Sequence, residues 1–240
     1  LTDVDYKLVE AYNKIALRYT ALKRKPWKDL QQYMLQINHK ISLPTSGIML
    51  DLGTGNCRNL LLFEKQEWEH IGLDLSLELL SNSITLKKNR LYLINNDMRD
   101  FFLRGNCIDF ALCIATLHHL RSNNEVLEVL LNIKIALKRE KYLLLSCWRR
   151  WKKGTIKRMF KDLIFYPFKK IKDKSWRHGD IYLPWFDNNG KIIAQRYYHL
   201  FTRCELLGIV QKTGFEIVNF SKLGGEKGND NIFLLLRNKK

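Results

Sequence analysis

Leu50-Asp51-Leu52-Gly53-Thr54-Gly55-Asn56 closes a short apolar run that begins at Ile48, and Cys57–Phe63 beyond it has helical character. A strand that breaks into a glycine-spaced turn and then a helix lets backbone N–H groups approach a ligand closely, because glycine has no Cβ. A second short apolar run, Ile71-Gly72-Leu73, ends on Asp74. A carboxylate at such a strand end can accept both hydroxyls of a ribose. The first turn reads D-L-G-T-G and lacks the longer G-x-G-x-x-G pattern. A pyrophosphate is therefore disfavoured against a nucleoside without phosphate, and a nicotinamide-dependent dehydrogenase is set aside. The ligand expected from this turn is S-adenosylmethionine.

Outward from the turn, strands alternate with helices. Strands are expected at Ile48–Leu52, His70–Asp74, Leu91–Asn95, Ile108–Ile114 and Tyr142–Cys147, with helices near 57–65, 76–86 and 122–138. Such alternation predicts a mostly parallel sheet covered on both faces. Upstream, Tyr6, Val9, Tyr12, Ile15, Ala16 and Tyr19 recur at helical spacing, and a second helix is expected from Trp27 to Ile41 after Pro26. Beyond Cys147 the alternation stops. Residues 149–195 read as a basic, aromatic insertion with loop signals at Leu183-Pro184-Trp185 and Asp187-Asn188-Asn189-Gly190. A helix near Arg203–Thr213, ended by Gly214, then leads into strands Phe215–Phe220 and Asn231–Arg237. The expected class is α/β, a Rossmann-like class I methyltransferase sheet of seven strands, mostly parallel with the last strand antiparallel. One domain would span 1–240, with N-terminal helices in 1–45 and the insertion after strand five.

A hydrophobic content of 46% argues against disorder. No run of about 20 uninterrupted apolar residues exists, so neither a membrane span nor a membrane partner is expected. The opening Leu-Thr-Asp-Val-Asp lacks the apolar core of a secretory leader. Five cysteines (Cys57, Cys107, Cys113, Cys147, Cys204) form no C-x-x-C pair. That fits a reducing, cytoplasmic setting and no metal in this chain. Net charge is +17, which favours a polyanionic partner, although a Lys/Asn-rich background is a competing source of charge. The cations concentrate: Lys138 to Arg177 holds fifteen Lys/Arg against three acids, interleaved with rings such as Trp148, Trp151, Phe160 and Trp176. This mixture suits phosphate contact plus base stacking.

Three acids stand at successive strand ends, where open α/β sheets bind ligands. Asp51 would orient the first turn, with Gly53 and Gly55, or meet the methionine ammonium. Asp74 suits the ribose. Asp97, in Asn95-Asn96-Asp97-Met98, suits the adenine amino group, with the Met98 N–H beside it, and Ala115 after strand four completes the donor-binding set.

The block Leu117-His118-His119 after strand four resembles one family closely when taken with Gln195-Arg196-Tyr197-Tyr198-His199-Leu200-Phe201, followed by Glu205-Leu206. So do Tyr12-Asn13-x-Ile15-Ala16 and Pro26-Trp27. The family is the eukaryotic tRNA wobble-uridine carboxymethyl methyltransferases, and the resemblance runs from about residue 5 to 237. It implies esterification of 5-carboxymethyluridine at the tRNA wobble position, with S-adenosylmethionine as donor. It also implies a heterodimer with a small zinc-binding activator, for which the edge strand Leu91–Ile94 is the candidate contact. Cys57 stands where the family has a third glycine, so weaker donor binding is expected. Lys23 stands where it has arginine, beside Arg24.

A carboxylate is ionised at neutral pH and needs no strong base to attack a sulfonium methyl, so the enzyme's task is to align two reactants. Arg196 is the candidate carboxylate clamp, by a forked geometry that lysine cannot copy. Tyr197, Tyr198 and His199 would shape the base pocket. His118 would line the transfer site, more as a hydrogen-bond donor than as a base. Trp148, Tyr198, Lys23 and Arg24 are the candidate substrate contacts. Two other readings stay open: a methyltransferase for another carboxylate, on a small molecule or a protein, and a non-catalytic chain that binds tRNA or the activator.

Overall fold

Ile108–Ile114 (β4) is buried at all seven positions, as only a strand covered on both faces can be. In the computed structural model, which describes residues 3–84, 90–152 and 155–239, it lies near the centre of a seven-stranded sheet. Ser46–Leu52 (β1) runs parallel on one side of it, followed outward by Glu67–Asp74 (β2) and Arg90–Asn95 (β3). On the other side lies Leu137–Trp148 (β5), also parallel to β4. Further out, Asn231–Arg237 (β9) is inserted antiparallel between β5 and Glu216–Leu223 (β8). The order is β3-β2-β1-β4-β5-β9-β8, the expected Rossmann-like methyltransferase sheet with its last strand antiparallel.

The strand order reverses between β1 and β4, so the carboxyl ends of β1, β2 and β4 open a crevice there. Two apolar layers hold it. One packs Leu130, Ile133 and Ile209 against Leu50, Ala111 and Leu145, and the other packs Tyr33, Leu60 and Trp68 against Met49, Phe110 and Phe233. Two covering helices start from capping boxes. Ser122 and Glu125 open Asn123–Ala136 (α4), and Thr202 and Glu205 open Arg203–Thr213 (α6), which Gly214 ends in left-handed backbone at φ +66°. Asp3–Leu22 (α1) and Lys28–Asn38 (α2) precede the sheet.

Local elements depart from the sequence reading in three places. The helix expected near 57–65 is a 3₁₀ turn, Arg58–Phe63. The one expected at 76–86 ends early, as Leu77–Ser81 (α3), and its residues 85 and 86 lie outside the described residues. Within the insertion, Leu183-Pro184-Trp185 is strand and not loop. Asp180–Phe186 (β6) and Ile192–His199 (β7) form a hairpin that continues past residue 195. Proline is tolerated there because a two-stranded ribbon has only edge strands. Asp187 Oδ1 accepts the Asn189 and Lys191 N–H groups and closes the turn. Ahead of the hairpin, Ile156–Lys172 (α5) is a helix of seventeen residues. The hairpin folds back onto α1, packing Ala194 against Ala11 and Ile15 and Trp185 against Tyr19. That return brings the insertion to the mouth of the crevice.

Candidate active site

The floor of the crevice is the glycine turn. Gly53 and Gly55 lie in left-handed backbone at φ +69° and +57°, and a Cβ on Gly53 would sit 2.2 Å from Thr116 Cγ2. No side chain fits at that position. The Gly53 N–H donates to the Leu73 carbonyl at 2.7 Å, which locks the turn to the end of β2. Asp51 is buried, and its Oδ2 accepts the Thr54 hydroxyl at 2.8 Å. Burial pushes its carboxyl up to about 7, Thr54 opposing and the nearby Asp74 charge adding to the rise. Asp51 does not line the cleft; of its two expected roles, orienting the turn is the one its bond performs.

Asp74 does line the cleft. Its oxygens accept the Gly55 N–H and the Ser76 N–H, both at 2.8 Å. A carboxylate has about four lone-pair sites, so acceptor capacity remains for a vicinal diol. Asp97 and Met98 also line it. The Asp97 oxygens are largely taken, however. Arg99 grips them through Nε at 3.1 Å and Nη2 at 2.6 Å while also reaching Asp5 and Glu125. The adenine contact expected of the Asp97 carboxylate is thereby reduced, and the backbone at Met98 gains weight. Ala115, at φ +55°, lines the cleft at the end of β4, its N–H donating to Ser146. Holding a non-glycine residue there costs about 1–3 kcal/mol.

The roof comes from the N-terminal helix. Leu8, Val9 and Tyr12 of α1 face the turn across a cleft of about 900 Å³, its open mouth included. Asn13 Oδ1 accepts the Ser76 hydroxyl at 2.7 Å, and the Asp5–Arg99 ion pair fixes the start of α1 at 2.9 Å. The fit to an adenosine-bearing donor thus rests on a cradle too tight for a Cβ, an oriented carboxylate with spare acceptor capacity, and an apolar lid.

At the far end of the cleft stands His119, and not His118 as the sequence leads one to expect. His118 is the buried ring, set behind the wall among Trp148 and Tyr198, whereas His119 lines the cleft. The pair sits in a 3₁₀ turn, Leu117–His119, in which successive side chains diverge by about 120°. His119 Nδ1 lies 2.8 Å from the Tyr197 carbonyl, which can only accept, so Nδ1 carries the proton. Burial, with the Arg196 charge adding to it against that hydrogen bond, lowers the ring to about 4, so it is neutral near pH 7. Its Nε2 then accepts from the Tyr12 hydroxyl at 3.1 Å, and the Tyr12 oxygen in turn accepts from Tyr198 at 3.2 Å. The direction of the whole chain is fixed by one carbonyl.

Beyond this chain lies Arg196, on β7. Its guanidinium carbon sits 4.8 Å from the Trp185 ring centroid, 5.4 Å from Tyr198 and 5.8 Å from Tyr12. Its Nε is buried without a hydrogen-bond partner, and among the described residues no carboxylate pairs with it. Arg99, Arg121, Arg150 and Arg177, by contrast, each hold a carboxylate. Tyr198 stacks flat on Trp148, centroids 4.7 Å apart and planes within 2°, with Lys152 over the outer ring at 4.2 Å.

Two further assignments are corrected. Tyr197 is buried beneath Arg121, whose guanidinium carbon lies 4.5 Å from its ring centroid. His199 is fully buried between Asp180 at 2.6 Å and Glu205 at 2.8 Å. None of Arg196, Tyr197, Tyr198 and His199 lines the donor cleft itself; in a strand alternate residues face opposite sides, so Arg196 and Tyr198 share the face toward Tyr12, which does line it, and Tyr197 and His199 point the other way. Cys57 also turns away: its side chain is fully buried, with Sγ 3.5 Å from the Thr54 hydroxyl, and does not obstruct the cleft. Lys23 contributes its carbonyl, accepting from Asn56 at 2.9 Å, while its side chain and that of Arg24 are exposed. Tyr12, Asn13, Trp185 and His119 are the residues that sequence reasoning did not assign to the site. Among the described residues no group of three His, Cys, Asp or Glu could hold a metal, and no helix is long and apolar enough to cross a membrane.

Comparison with known proteins gives the following likenesses. Residues 50–145 match the family described as "Methyltransferase domain". A Schizosaccharomyces pombe protein named tRNA (carboxymethyluridine(34)-5-O)-methyltransferase is 24% identical over 229 residues, covering 87% of this chain and 88% of its own length. Among solved structures, the Burkholderia thailandensis 1,6-didemethyltoxoflavin-N1-methyltransferase with bound S-adenosylhomocysteine aligns with a TM-score of 0.64 at 16% identity, over 100% of this chain and 92% of its own. The methyltransferase in complex with the Haloferax volcanii Trm112 activator aligns at 0.64 and 10% identity, over 97% and 98%.

Proposed function

We propose that this chain, an S-adenosylmethionine-dependent methyltransferase, esterifies the carboxylate of 5-carboxymethyluridine at the wobble position of tRNA. The observation that carries the reading is Arg196. It is a cation enclosed by three aromatic rings, without a carboxylate partner among the described residues, set beside a donor cleft. A half-buried, unpaired guanidinium is costly unless a ligand anion completes it, and a planar carboxylate matches its fork. The likeness to the S. pombe wobble-uridine enzyme points the same way.

When bound, the donor supplies an electrophilic methyl group on a sulfonium, held by the glycine turn, Asp74 and the Met98 backbone. Arg196 binds and orients the substrate carboxylate. Through a single fork it leaves one oxygen lone pair free to attack. Trp185 and Tyr198 wall the guanidinium from water, which strengthens the ion pair. His119 stays neutral and takes no proton. Its part, with Tyr12, is to hold the wall of the transfer site, so that the barrier is lowered by alignment and not by base catalysis.

Two partners belong to this reading. The cations and rings of the insertion, Lys152 on Trp148 among them, would seat the anticodon stem-loop. An activator would pair with the free edge of β3, where Tyr92, Leu93 and Ile94 are 50%, 39% and 37% exposed; the aligned Haloferax methyltransferase is itself bound to such an activator. The site of action would be inside the cell, where tRNA is modified.

The test is methyl transfer from labelled S-adenosylmethionine to tRNA bearing wobble 5-carboxymethyluridine, with and without the zinc-binding activator. Wild type is expected to form base-labile ester. Arg196→Ala is expected to lose about 100-fold or more in kcat/KM, and Arg196→Lys to recover only part, with donor affinity unchanged in both. Absence of transfer by wild type with activator would overturn the assignment.

A further inference from the structure

Helix α5 is held to the body along a narrow strip. Met159 and Asp162 are its buried residues. Asp162 accepts from Lys169, Trp176 and the Gly179 N–H, and bonds His178. Most of the remaining circumference faces water. At 100° per residue, Ile156, Phe160, Leu163, Ile164, Phe168 and Ile171 fall within an arc of about 140°. All six are exposed, from 40% at Ile156 to 78% at Ile171. Trp151 extends the stripe, 38% exposed, with its ring 5.9 Å from Phe160. Lys161 and Lys172 border one side of the arc and Lys170 the other, while Lys157 falls inside it between Ile164 and Phe168, all four exposed. The only acid in the helix is the buried Asp162.

We infer that α5 is a membrane-surface helix that lays its apolar stripe into an anionic phospholipid bilayer, its lysines meeting the headgroups. Three features choose this occupant. The stripe is mostly aliphatic, and Ile156, Leu163, Ile164 and Ile171 offer no flat face on which a nucleobase could stack. An exposed apolar face of this extent is not tolerated without a low-dielectric partner. Cations on both flanks, with no exposed acid between them, complement a surface of like-charged anions and repel a second copy of the same face. An interfacial helix needs no spanning segment, so the departure is from the expectation of no membrane partner alone. The inference does not depend on the wobble-uridine reading.

The experiment is co-sedimentation of the full chain with phosphatidylcholine vesicles and with phosphatidylcholine vesicles containing phosphatidylserine. Binding is expected to the mixed vesicles and to be at least tenfold weaker to the neutral ones, given about a tenfold gain from only one or two lysines at an anionic surface. The double variant F160D/I164D should lose binding by tenfold or more, as should K157E/K161E. Both sites are exposed, so retained S-adenosylmethionine binding and an unchanged melting temperature should certify the fold. Absence of wild-type binding would overturn the inference. So would binding that F160D/I164D leaves intact, which would mean non-specific attraction of a basic protein. Weaker tRNA binding or activator capture in F160D/I164D, with vesicle binding unaltered, would reassign the face to that macromolecule.

Discussion

Tyr12 shows how much one hydroxyl can organise. It donates to His119 and accepts from Tyr198. Tyr12→Phe therefore leaves a ring nitrogen without its donor and a tyrosine without its acceptor. Each such loss costs about 1–3 kcal/mol when buried. The expected outcome is a stability loss of about 2–6 kcal/mol in urea titrations, with methyl transfer slowed about tenfold and donor affinity little changed, because the hydrogen-bond chain borders the acceptor side and not the glycine turn. Asp51 makes the opposite kind of prediction, through protons. Its native carboxyl titrates at about 7, against the ordinary carboxylate range in the unfolded chain. Between those values the native state holds a proton that unfolding releases, so this residue's contribution to stability is full at low pH and falls as pH rises through about 7. Asp51→Asn keeps an acceptor for Thr54 and removes the titration. Urea melts at a series of pH values should give a flatter profile for the variant and, above about pH 7, a more stable protein by up to a few kcal/mol. An unchanged slope would mean that Asp51 is ionised throughout.

At the scale of elements, β3 is the exposed edge. Its pattern is exposed at five of six positions, where the central β4 is buried at seven of seven. Native proteins seldom leave an apolar edge open, since its unpaired N–H and C=O groups template association. Leu93→Asp with Ile94→Asp should weaken capture of the zinc-binding activator by tenfold or more in a calorimetric titration. It should cost the chain's own stability about 1–3 kcal/mol, because both side chains are more than half covered. Unaltered activator affinity would move the contact elsewhere. The elements also divide by how far the sequence declared them. β4, β9 and α6 are legible to the residue, since a fully apolar run, or a cap with a terminal glycine, leaves little choice. The β6–β7 hairpin was not, because Pro184 normally argues against a strand and only the edge position excuses it. Which histidine faces the cleft was equally hidden: the pair His118-His119 is plain, but a 3₁₀ turn and a helix point its two rings differently. The hold of Arg99 on Asp97 depends on a local turn two residues long, and nothing in the spacing reveals it. The acids at the strand ends were visible because the parallel sheet dictates where they fall.

Across the whole molecule, the charge has to be reconciled with a cleft that is not itself notably basic. Asp74 and Asp97 bring carboxylates to the donor cleft, while the positive charge is densest between Lys138 and Arg177. Donor binding and acceptor binding should accordingly respond to salt in different ways. Each phosphate neutralised releases condensed counterions, so tRNA affinity falls with a logarithmic slope of about 0.7–0.9 per contact. If the anticodon stem-loop engages four or more phosphates, raising salt from about 50 to 200 mM should weaken tRNA about fiftyfold or more, whereas S-adenosylmethionine affinity should change less than about twofold. The same logic separates this reading from a methyltransferase for a small carboxylate. Free 5-carboxymethyluridine presents the Arg196 clamp with its anion but offers the insertion no phosphates, and binding energy from remote parts of a substrate is what holds its reacting group in line. The nucleoside should therefore be methylated with a kcat/KM at least about 1,000-fold below that of tRNA, at a rate insensitive to salt. Equal efficiency on the nucleoside and on tRNA would mean that the basic surface plays no part in the chemistry, and that the cleft and Arg196 recognise a carboxylate whatever carries it.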